Sequence, residues 1–280
     1  MKLRSLLFVP GDRPDRMAKA LGVGADALIL DLEDAVVPAA KAEARRAVAQ
    51  FLDANGPARL WVRVNPLDGP ELDKDLASVL PAHPDGLVLP KAEGGSSVAE
   101  LSRRLAERGN ATAKIMAIAT ETPAAMFQLG SYGGLKRLAA LTWGAEDLPA
   151  AIGAATSRAP DGSFTPPYEL ARSLCLFGAA AAGVAPIETV FPDFRDLDGL
   201  AAYAARARRD GFTGMMAVHP AQVPAINAAF TPSEAEIAHA RRVVEAFAAQ
   251  PGAGALSLDG RMIDRPHLVQ AQRILAAARE

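Results

Sequence analysis

The sequence predicts a (β/α)8 TIM barrel with a C-terminal helical lid extension, on the basis of three observations. Short apolar runs occur eight times within the 280 residues. They recur at intervals of about 30 residues, which is enough for a strand, a helix and their loops. Stretches of helical periodicity separate them, and the chain is long enough for one barrel of roughly 250 residues.

The eight runs are short and mostly not alternating, which is typical of parallel strands buried on both faces. Eight such units favour a closed barrel over an open doubly wound sheet. The predicted strands are residues 6–9, 27–30, 60–64, 86–89, 115–119, 138–143, 187–191 and 214–218. The predicted helices include residues 39–52, 98–108 and 200–209.

The residues after the eighth run exceed what a barrel needs. The stretch 231–234 predicts a helix start with Ser233 or Thr231 as its cap, and this helix should end near Gln250. A Gly-rich break follows, and a last helix should begin at about Pro266. This tail is expected to pack over the barrel mouth or against a neighbouring subunit.

The chain should therefore consist of two parts. We predict a barrel domain of residues 1–230 and a C-terminal lid or oligomerisation segment of residues 231–280.

Composition and charge exclude several classes of protein. Half of the residues are hydrophobic, and the net charge of −2 gives no strong attraction to nucleic acid or anionic membrane. Cys175 is the only cysteine, so an internal disulfide is excluded. The N-terminal apolar run, residues 6–9, is too short for a signal peptide, and we expect the protein in the cytoplasm.

Polar residues follow every predicted strand. In a barrel of this type the chemistry lies where strands end and the following loops begin. The polar residues at these ends define a mouth rich in carboxylates with a few cations. They are Asp12, Arg13, Asp31, Glu33, Asp34, Arg63, Asn65, Lys91, Glu121, Glu146, Asp147, Asp193 and His219.

Glu121 and Asp147 are the candidate metal ligands. They lie 26 residues apart, which should place them on adjacent strands about 4.8 Å apart. Two carboxylates this close repel each other unless they are protonated or bridged by a cation, and a hard ion such as Mg²⁺ fits oxygen ligands best. The alternative is that both cap the helices that follow. Glu146 competes with Asp147, because neighbouring residues at a strand end point in opposite directions.

Arg63 ends the third predicted strand and needs an anion in the mouth. That anion is either a substrate carboxylate or a developing enolate oxygen. The alternative is a structural ion pair with Asp31 or Glu33. At least one acid of Asp31, Glu33 and Asp34 should orient Arg63 or cap the next helix.

Lys91 and the basic residues near the first strand admit two interpretations each. Lys91 either forms a Schiff base with a carbonyl or pairs with carboxylates or phosphate in the mouth. Arg4, Arg13, Arg16 and Lys19 suit a phosphate-bearing ligand, although helix surfaces often carry such charges.

The ordered set of rim motifs resembles the citrate lyase beta-subunit-like branch of the HpcH/HpaI aldolase family. Each motif is short, but together they cover essentially the whole chain. The matching stretches are RSLLFVPG at 4–11, LDLEDAV at 30–36, RVN at 63–65, LPK at 89–91, ETP at 121–123, GAEDL at 144–148, FPD at 191–193, HPAQ at 219–222 and DGRMIDRP at 259–266. Relatives often have an aromatic residue where this chain has Met215-Met216.

The resemblance implies a TIM barrel that binds Mg²⁺ and cleaves or forms a C–C bond in an acyl thioester. It implies that Glu121 and Asp147 bind the metal and that Arg63 contacts substrate near the reacting carbonyl. Asp264 would be the acid/base on a lid over a neighbouring subunit's mouth. Relatives are usually trimers, or hexamers of trimeric origin.

The resemblance also distributes the ligands around the mouth. The further substrate-binding residues would be Asp31, Glu33, Pro10 and Gly11. The coenzyme A side would comprise Ser5, Arg13, Arg16 and Lys19.

The predicted activity is a Mg²⁺-dependent lyase acting on a 3-hydroxy-3-carboxy-acyl-CoA such as malyl-CoA or citramalyl-CoA. Its products would be a 2-oxo acid and a short acyl-CoA, and hydrolysis of the thioester by the same site is an alternative. The remaining alternatives are a Schiff-base aldolase using Lys91, a subunit of a citrate lyase complex that acts on a citryl thioester, and a non-catalytic CoA-binding module.

Overall fold

The computed structural model describes residues 2–56 and 58–279. Met1, which begins the predicted barrel domain, Pro57, and Glu280, which ends the predicted C-terminal segment, lie outside the described residues. The chain divides into two compact units, one of residues 3–227 and one formed mainly by the residues from 228 onward.

The larger unit is a closed barrel of eight parallel strands, which confirms the predicted fold. Each strand pairs with the next, and β8 closes on β1, where Leu6 pairs with Met216. The strands are β1 (Ser5–Pro10), β2 (Ala27–Asp31), β3 (Leu60–Arg63), β4 (Gly86–Leu89), β5 (Lys114–Ile118), β6 (Leu138–Thr142), β7 (Ala185–Glu188) and β8 (Gly214–Ala217).

All eight predicted strands are present, and the largest error is at β7. The predicted run 187–191 extends three residues beyond the strand, because β7 pairs with β8 only as far as Glu188. The apolar residues Val190 and Phe191 therefore belong to the loop after β7. Hydrophobicity alone extended the predicted strand, whereas pairing with the neighbouring strand decides where it ends.

Helices lie between consecutive strands, except that β5 and β6 are joined by two short 3₁₀ turns, and the interior of the barrel is filled by apolar side chains. Trp61 is fully buried inside the barrel, and a Cβ at position 86 would overlap its ring, so Gly86 is needed there. The helices of the barrel unit are α1 (Pro14–Ala20), α2 (Lys41–Ala54), α3 (Leu72–Val79), α4 (Gly95–Glu107), α5 (Asp147–Ile152), α6 (Pro166–Ala182) and α7 (Leu197–Asp210), and α8 (Val223–Ala229) follows β8.

The smaller unit contains two helices and a hairpin. Ser233, not Thr231, caps α9 (Glu234–Ala249), in a reciprocal arrangement with Glu236. Strands β9 (Ala255–Leu258) and β10 (Arg261–Asp264) form an antiparallel hairpin that the sequence did not predict. The last helix, α10 (Arg265–Arg279), begins one residue before the predicted start and packs on α9.

Helix length and polarity bear on membrane association. Within the described part of the chain, no helix is both long and apolar enough to cross a bilayer.

Candidate active site

Arg63, the last residue of β3, is held by two acids at the carboxyl end of β2. Its Nε and Nη2 donate to the two carboxylate oxygens of Asp31, at 2.7 and 2.6 Å, and its Nη1 lies 2.9 Å from Oε2 of Glu33. Strand register explains the first pair, because Asp31 and Arg63 are partners across β2 and β3. Burial alone would lower the pKa of Arg63, but the Asp31 hydrogen bond and the charges of Asp31 and Glu33 raise it. The guanidinium therefore stays charged.

The structural ion pair and a substrate role for Arg63 are compatible. Arg63 and Asp31 both line a cavity of about 370 Å³ at the mouth, so the paired guanidinium still borders the space for a ligand. The Phe8 ring lies under the guanidinium, 4.9 Å from Cζ to the ring centroid. Asp31 thus orients Arg63, as one of the sequence interpretations expects.

Glu33 and Gly11 lie behind the cavity wall and are not among the residues that line it. The Glu33 carboxylate is occupied by Arg63 and by Nζ of Lys91, 2.7 Å from Oε1. The amide of Gly11 donates to the Asp31 carbonyl oxygen at 2.8 Å, and a Cβ at position 11 would clash with that oxygen. Direct substrate contact is therefore disfavoured for both, whereas Pro10 does line the cavity.

Glu121 and Asp147 both line the same cavity. Glu121 follows β5 and is only 3% exposed, and its Oε2 accepts a hydrogen bond from the Lys91 amide at 2.5 Å. Burial, with the charges of Asp147 and Glu33, raises the pKa of Glu121 to about 8. A Cβ at position 144 would overlap Cγ of Glu121, so Gly144 makes room for this carboxylate.

The capping alternative receives no support for these two acids. Asp147 is the first residue of α5 rather than its cap, and that helix start has no side-chain cap hydrogen bond. Glu121 accepts from the backbone of Lys91, which belongs to a different strand end. Glu146, the competitor of Asp147, is exposed and also borders the cavity.

The donor set fits a hard cation. Among the described residues no group of three or more His, Cys, Asp or Glu side chains is placed to hold a metal. A pair of carboxylates is nevertheless what Mg²⁺ commonly takes from a protein, because water and substrate oxygens complete its shell. The buried carboxylate of Glu121, whose pKa is raised by burial and by Asp147, is the kind of group that a bound cation would compensate.

Apolar side chains also line this cavity. Trp143 and Val190 border it, and Met216, at the position where the chain departs from the family pattern, borders it as well. The lining therefore combines charged with apolar side chains, which suits a small carboxylic acid with an alkyl group.

A second cavity of about 340 Å³ lies between β1, α1 and the residues that follow β8. Arg16, Lys19 and His219 line it, and Arg16 also borders the first cavity. Arg13 borders neither and forms an ion pair with the exposed Asp15, 3.2 Å from Nε to Oδ1. Two of the predicted basic residues are thus brought together beside the mouth.

Ser5 is at the wrong end of the barrel for coenzyme A. It begins β1, is fully buried, and its hydroxyl donates to Oδ1 of Asn227 at 2.7 Å and accepts from the Asp26 amide at 3.3 Å. The mouth is at the other end of this six-residue strand, about 17 Å away. This position rules out Ser5 as a contact of a ligand at the mouth.

Asp264 belongs to the smaller unit, at the end of β10. Its Oδ1 lies 2.6 Å from Nδ1 of His267, and 37% of its side chain is exposed. The sequence analysis missed His267, although the three-residue spacing at a helix start is the signal that would have indicated it.

A buried network behind Trp143 was also missed. Glu188, fully buried at the end of β7, accepts hydrogen bonds from the Trp143 indole, from Nε of Arg172 at 2.7 Å and from the Tyr203 hydroxyl at 2.9 Å. The available signal was an acid inside an apolar run. The network fixes the indole that borders the cavity.

A closed (β/α)8 barrel whose mouth holds a carboxylate pair beside an acid-bound arginine defines a TIM-barrel enzyme with its site at the carboxyl ends of the strands. Residues 4–220 match the family model of HpcH/HpaI aldolase/citrate lyase, and the chain belongs to this family.

Similarity to individual proteins extends along nearly the whole chain. A citrate lyase subunit beta-like protein of Mycobacterium tuberculosis is 36% identical over 275 residues, covering 98% of this chain and 95% of the relative. A (3S)-malyl-CoA thioesterase of Cereibacter sphaeroides is 32% identical, covering 98% and 94%. The crystal structure of protein CitE from M. tuberculosis in complex with magnesium, acetoacetate and coenzyme A has a TM-score of 0.84 and 34% identity, covering 99% and 98%.

Proposed function

We propose that the protein is a Mg²⁺-dependent carbon–carbon lyase acting on a 3-hydroxy-3-carboxy-acyl-CoA such as malyl-CoA or citramalyl-CoA. The observation that carries the proposal is one cavity lined by Arg63, oriented by Asp31, and by the two acids Glu121 and Asp147. The relative crystallised with magnesium, acetoacetate and coenzyme A supports the same combination of metal, small oxo acid and CoA.

Glu121 and Asp147 would hold the Mg²⁺ ion. When bound, the ion would supply Lewis-acid polarisation of the carboxylate and hydroxyl oxygens of the substrate. The chain contributes the placement of the two acids, because the Lys91 amide and the space at Gly144 fix Glu121 against the cavity.

Arg63 would stabilise the negative charge that develops during C–C cleavage. The substrate hydroxyl would release its proton to solvent water, and the C–C bond would break to give the 2-oxo acid. The electron pair of that bond would form the thioester enolate, which then takes up one proton at carbon. A charged guanidinium fixed in advance stabilises that enolate oxygen without reorganising. Asp31 contributes by fixing the guanidinium plane through two hydrogen bonds.

The CoA part of the substrate would lie along the second cavity. Arg16 and Lys19 are cations suited to phosphate groups, and Arg16 borders both cavities. Arg13 would also bind a phosphate group of CoA, after its ion pair with Asp15 breaks. That pair is exposed to solvent, so breaking it costs little free energy.

Asp264 would donate the proton to the enolate carbon. A neighbouring subunit of a homotrimer or hexamer would supply this residue. Support for this role comes from the family resemblance and from the partial exposure of the carboxylate beside His267. A cytoplasmic location accords with a single cysteine and with free CoA thioesters as substrates.

A substrate screen tests the proposed function. The purified protein would be assayed with acetyl-CoA or propionyl-CoA paired with glyoxylate, pyruvate or oxaloacetate, with and without EDTA. We expect condensation with at least one pair, cleavage of its product, and loss of both in EDTA. Activity only with an added acyl-carrier protein would instead favour a subunit of a citrate lyase complex.

Thioester hydrolysis is a second candidate function. The similarity to a (3S)-malyl-CoA thioesterase favours it, and the same site would need only water to attack the thioester carbonyl. Release of free CoA from malyl-CoA without formation of glyoxylate would distinguish hydrolysis from C–C cleavage.

A further inference from the structure

Lys91 occupies an unusual backbone conformation at the end of β4. Its φ is +51°, in the left-handed region of backbone conformation, which residues other than glycine, asparagine and aspartate rarely adopt. Glycine would be accommodated there without strain. A lysine retained in this conformation indicates that its side chain has a use that outweighs the cost.

The left-handed conformation directs two groups of Lys91 to two parts of the site. The amide donates to Oε2 of Glu121 at 2.5 Å. The ammonium lies 2.7 Å from Oε1 of Glu33 and 3.8 Å from Oδ1 of Asp147. Glu33 in turn contacts Arg63 at 2.9 Å, so one residue links the carboxylate pair with the arginine.

Lys91 is not among the residues that line the cavity, and neither is Glu33. Their contacts with Arg63, Glu121 and Asp147, which do line it, are the route by which they affect the site. We propose that Lys91 is a positioning residue that ties the arginine half of the site to the carboxylate half, and that its ammonium competes with the metal ion for Asp147. The expected effect on turnover rests on the proposed function, whereas the expected effect on Mg²⁺ binding does not.

The competition predicts the direction in which loss of the Lys91 charge changes the Mg²⁺ affinity. An ammonium near the carboxylate pair cancels part of its negative charge and so weakens its attraction for a divalent cation. Removing the charge should therefore tighten Mg²⁺ binding while it slows the reaction, since Glu33 and Arg63 lose their fixed placement. A residue with a merely structural role would, when removed, weaken both or neither.

Titration calorimetry with MgCl₂ on the full-length protein tests the inference without any turnover. We expect Lys91→Met and Lys91→Gly to bind Mg²⁺ ~3- to 10-fold more tightly than the unsubstituted protein. Lys91→Arg, which keeps the charge, should bind it as the unsubstituted protein does. His83→Gly is the matched control, because His83 has the same φ of +51° on the exposed end of another turn; its Mg²⁺ affinity should not change.

Steady-state kinetics supply the second measurement. With saturating Mg²⁺ we expect kcat of Lys91→Met and Lys91→Gly to fall ~10-fold or more, and Lys91→Arg to recover most of it. Unchanged or weaker Mg²⁺ binding by a folded Lys91→Gly protein would overturn the proposal, because that variant keeps the amide and relieves the backbone. Absence of lyase activity from the unsubstituted protein would reject the proposed function, and the calorimetry would still decide the competition at Asp147.

Discussion

Asp31 binds Arg63 through both carboxylate oxygens, across two strands whose last residues are partners in the sheet. The pair is almost completely buried, and the guanidinium still borders the cavity at the mouth. A charge fixed in this manner does not need to reorganise when negative charge develops on a substrate, which is the condition for efficient electrostatic stabilisation. The relationship underlies the first prediction.

Arg63→Lys should lose most of the activity although the charge remains. Lysine has no planar fork and cannot satisfy both oxygens of Asp31 while presenting a donor to substrate. We expect kcat to fall ~10²- to 10³-fold with Mg²⁺ affinity retained, measured by steady-state kinetics and calorimetry. Turnover close to that of the unsubstituted enzyme would leave Arg63 with an ion-pair role only.

Glu121→Gln and Asp147→Asn should each weaken Mg²⁺ binding. Both changes keep size and shape but replace a charged oxygen ligand by a neutral one. Calorimetry should show at least a ~10-fold loss of affinity, and kcat should fall accordingly. Full activity of either variant in EDTA would reject the assignment of the pair as metal ligands.

Gly144→Ala should reduce Mg²⁺ affinity without touching a ligand. A Cβ at 144 overlaps Cγ of Glu121, so the carboxylate must move. Gly130→Ala is the matched control, because a Cβ at 130 meets no atom within 4 Å. We expect weaker Mg²⁺ binding for Gly144→Ala only; equal affinities for the two variants would show that Glu121 has room to shift.

Glu188→Gln should destabilise the fold. The change removes the charge of one of the two acids that bind the buried Arg172, the one at 2.7 Å, and leaves Asp210 as its remaining charged partner. Loss of one member of a buried pair typically costs about 3 kcal/mol. Urea unfolding measures the effect. Glu100→Gln, which removes a solvent-screened partner of Arg103, should cost much less, because exposed ion pairs contribute little to stability. Equal losses would argue against an anchoring role for Glu188.

Asp264→Asn should retain Mg²⁺ and CoA binding but lose catalysis, because it removes a proton carrier and no ligand. If Asp264 serves a neighbouring subunit, mixing Asp264→Asn with Glu121→Gln protein should restore part of the activity after subunit exchange. A nearly silent Asp264→Asn would mean that the residue acts only locally beside His267. Loss of activity without complementation would place its role within its own chain.

The sequence by itself determined the barrel and the composition of its mouth. Parallel strands buried on both faces leave uninterrupted apolar runs, and a polar residue after each run marks the end where loops meet. For this reason the eight strands could be located, and so could the acids Glu121 and Asp147. The order of short motifs along the chain was enough to indicate the family.

Only the tertiary structure decided which of these polar groups contact one another. Three acids between positions 31 and 34 were available to Arg63, and strand register selected Asp31 for the bidentate pair. The direction of β1 placed Ser5 at the amino-terminal end of the strand, away from the mouth. The positive φ of Lys91 and its link between Glu33 and Glu121 depend on three strand ends that are distant in sequence. Such contacts depend on register and side-chain direction, which no local pattern of residues encodes.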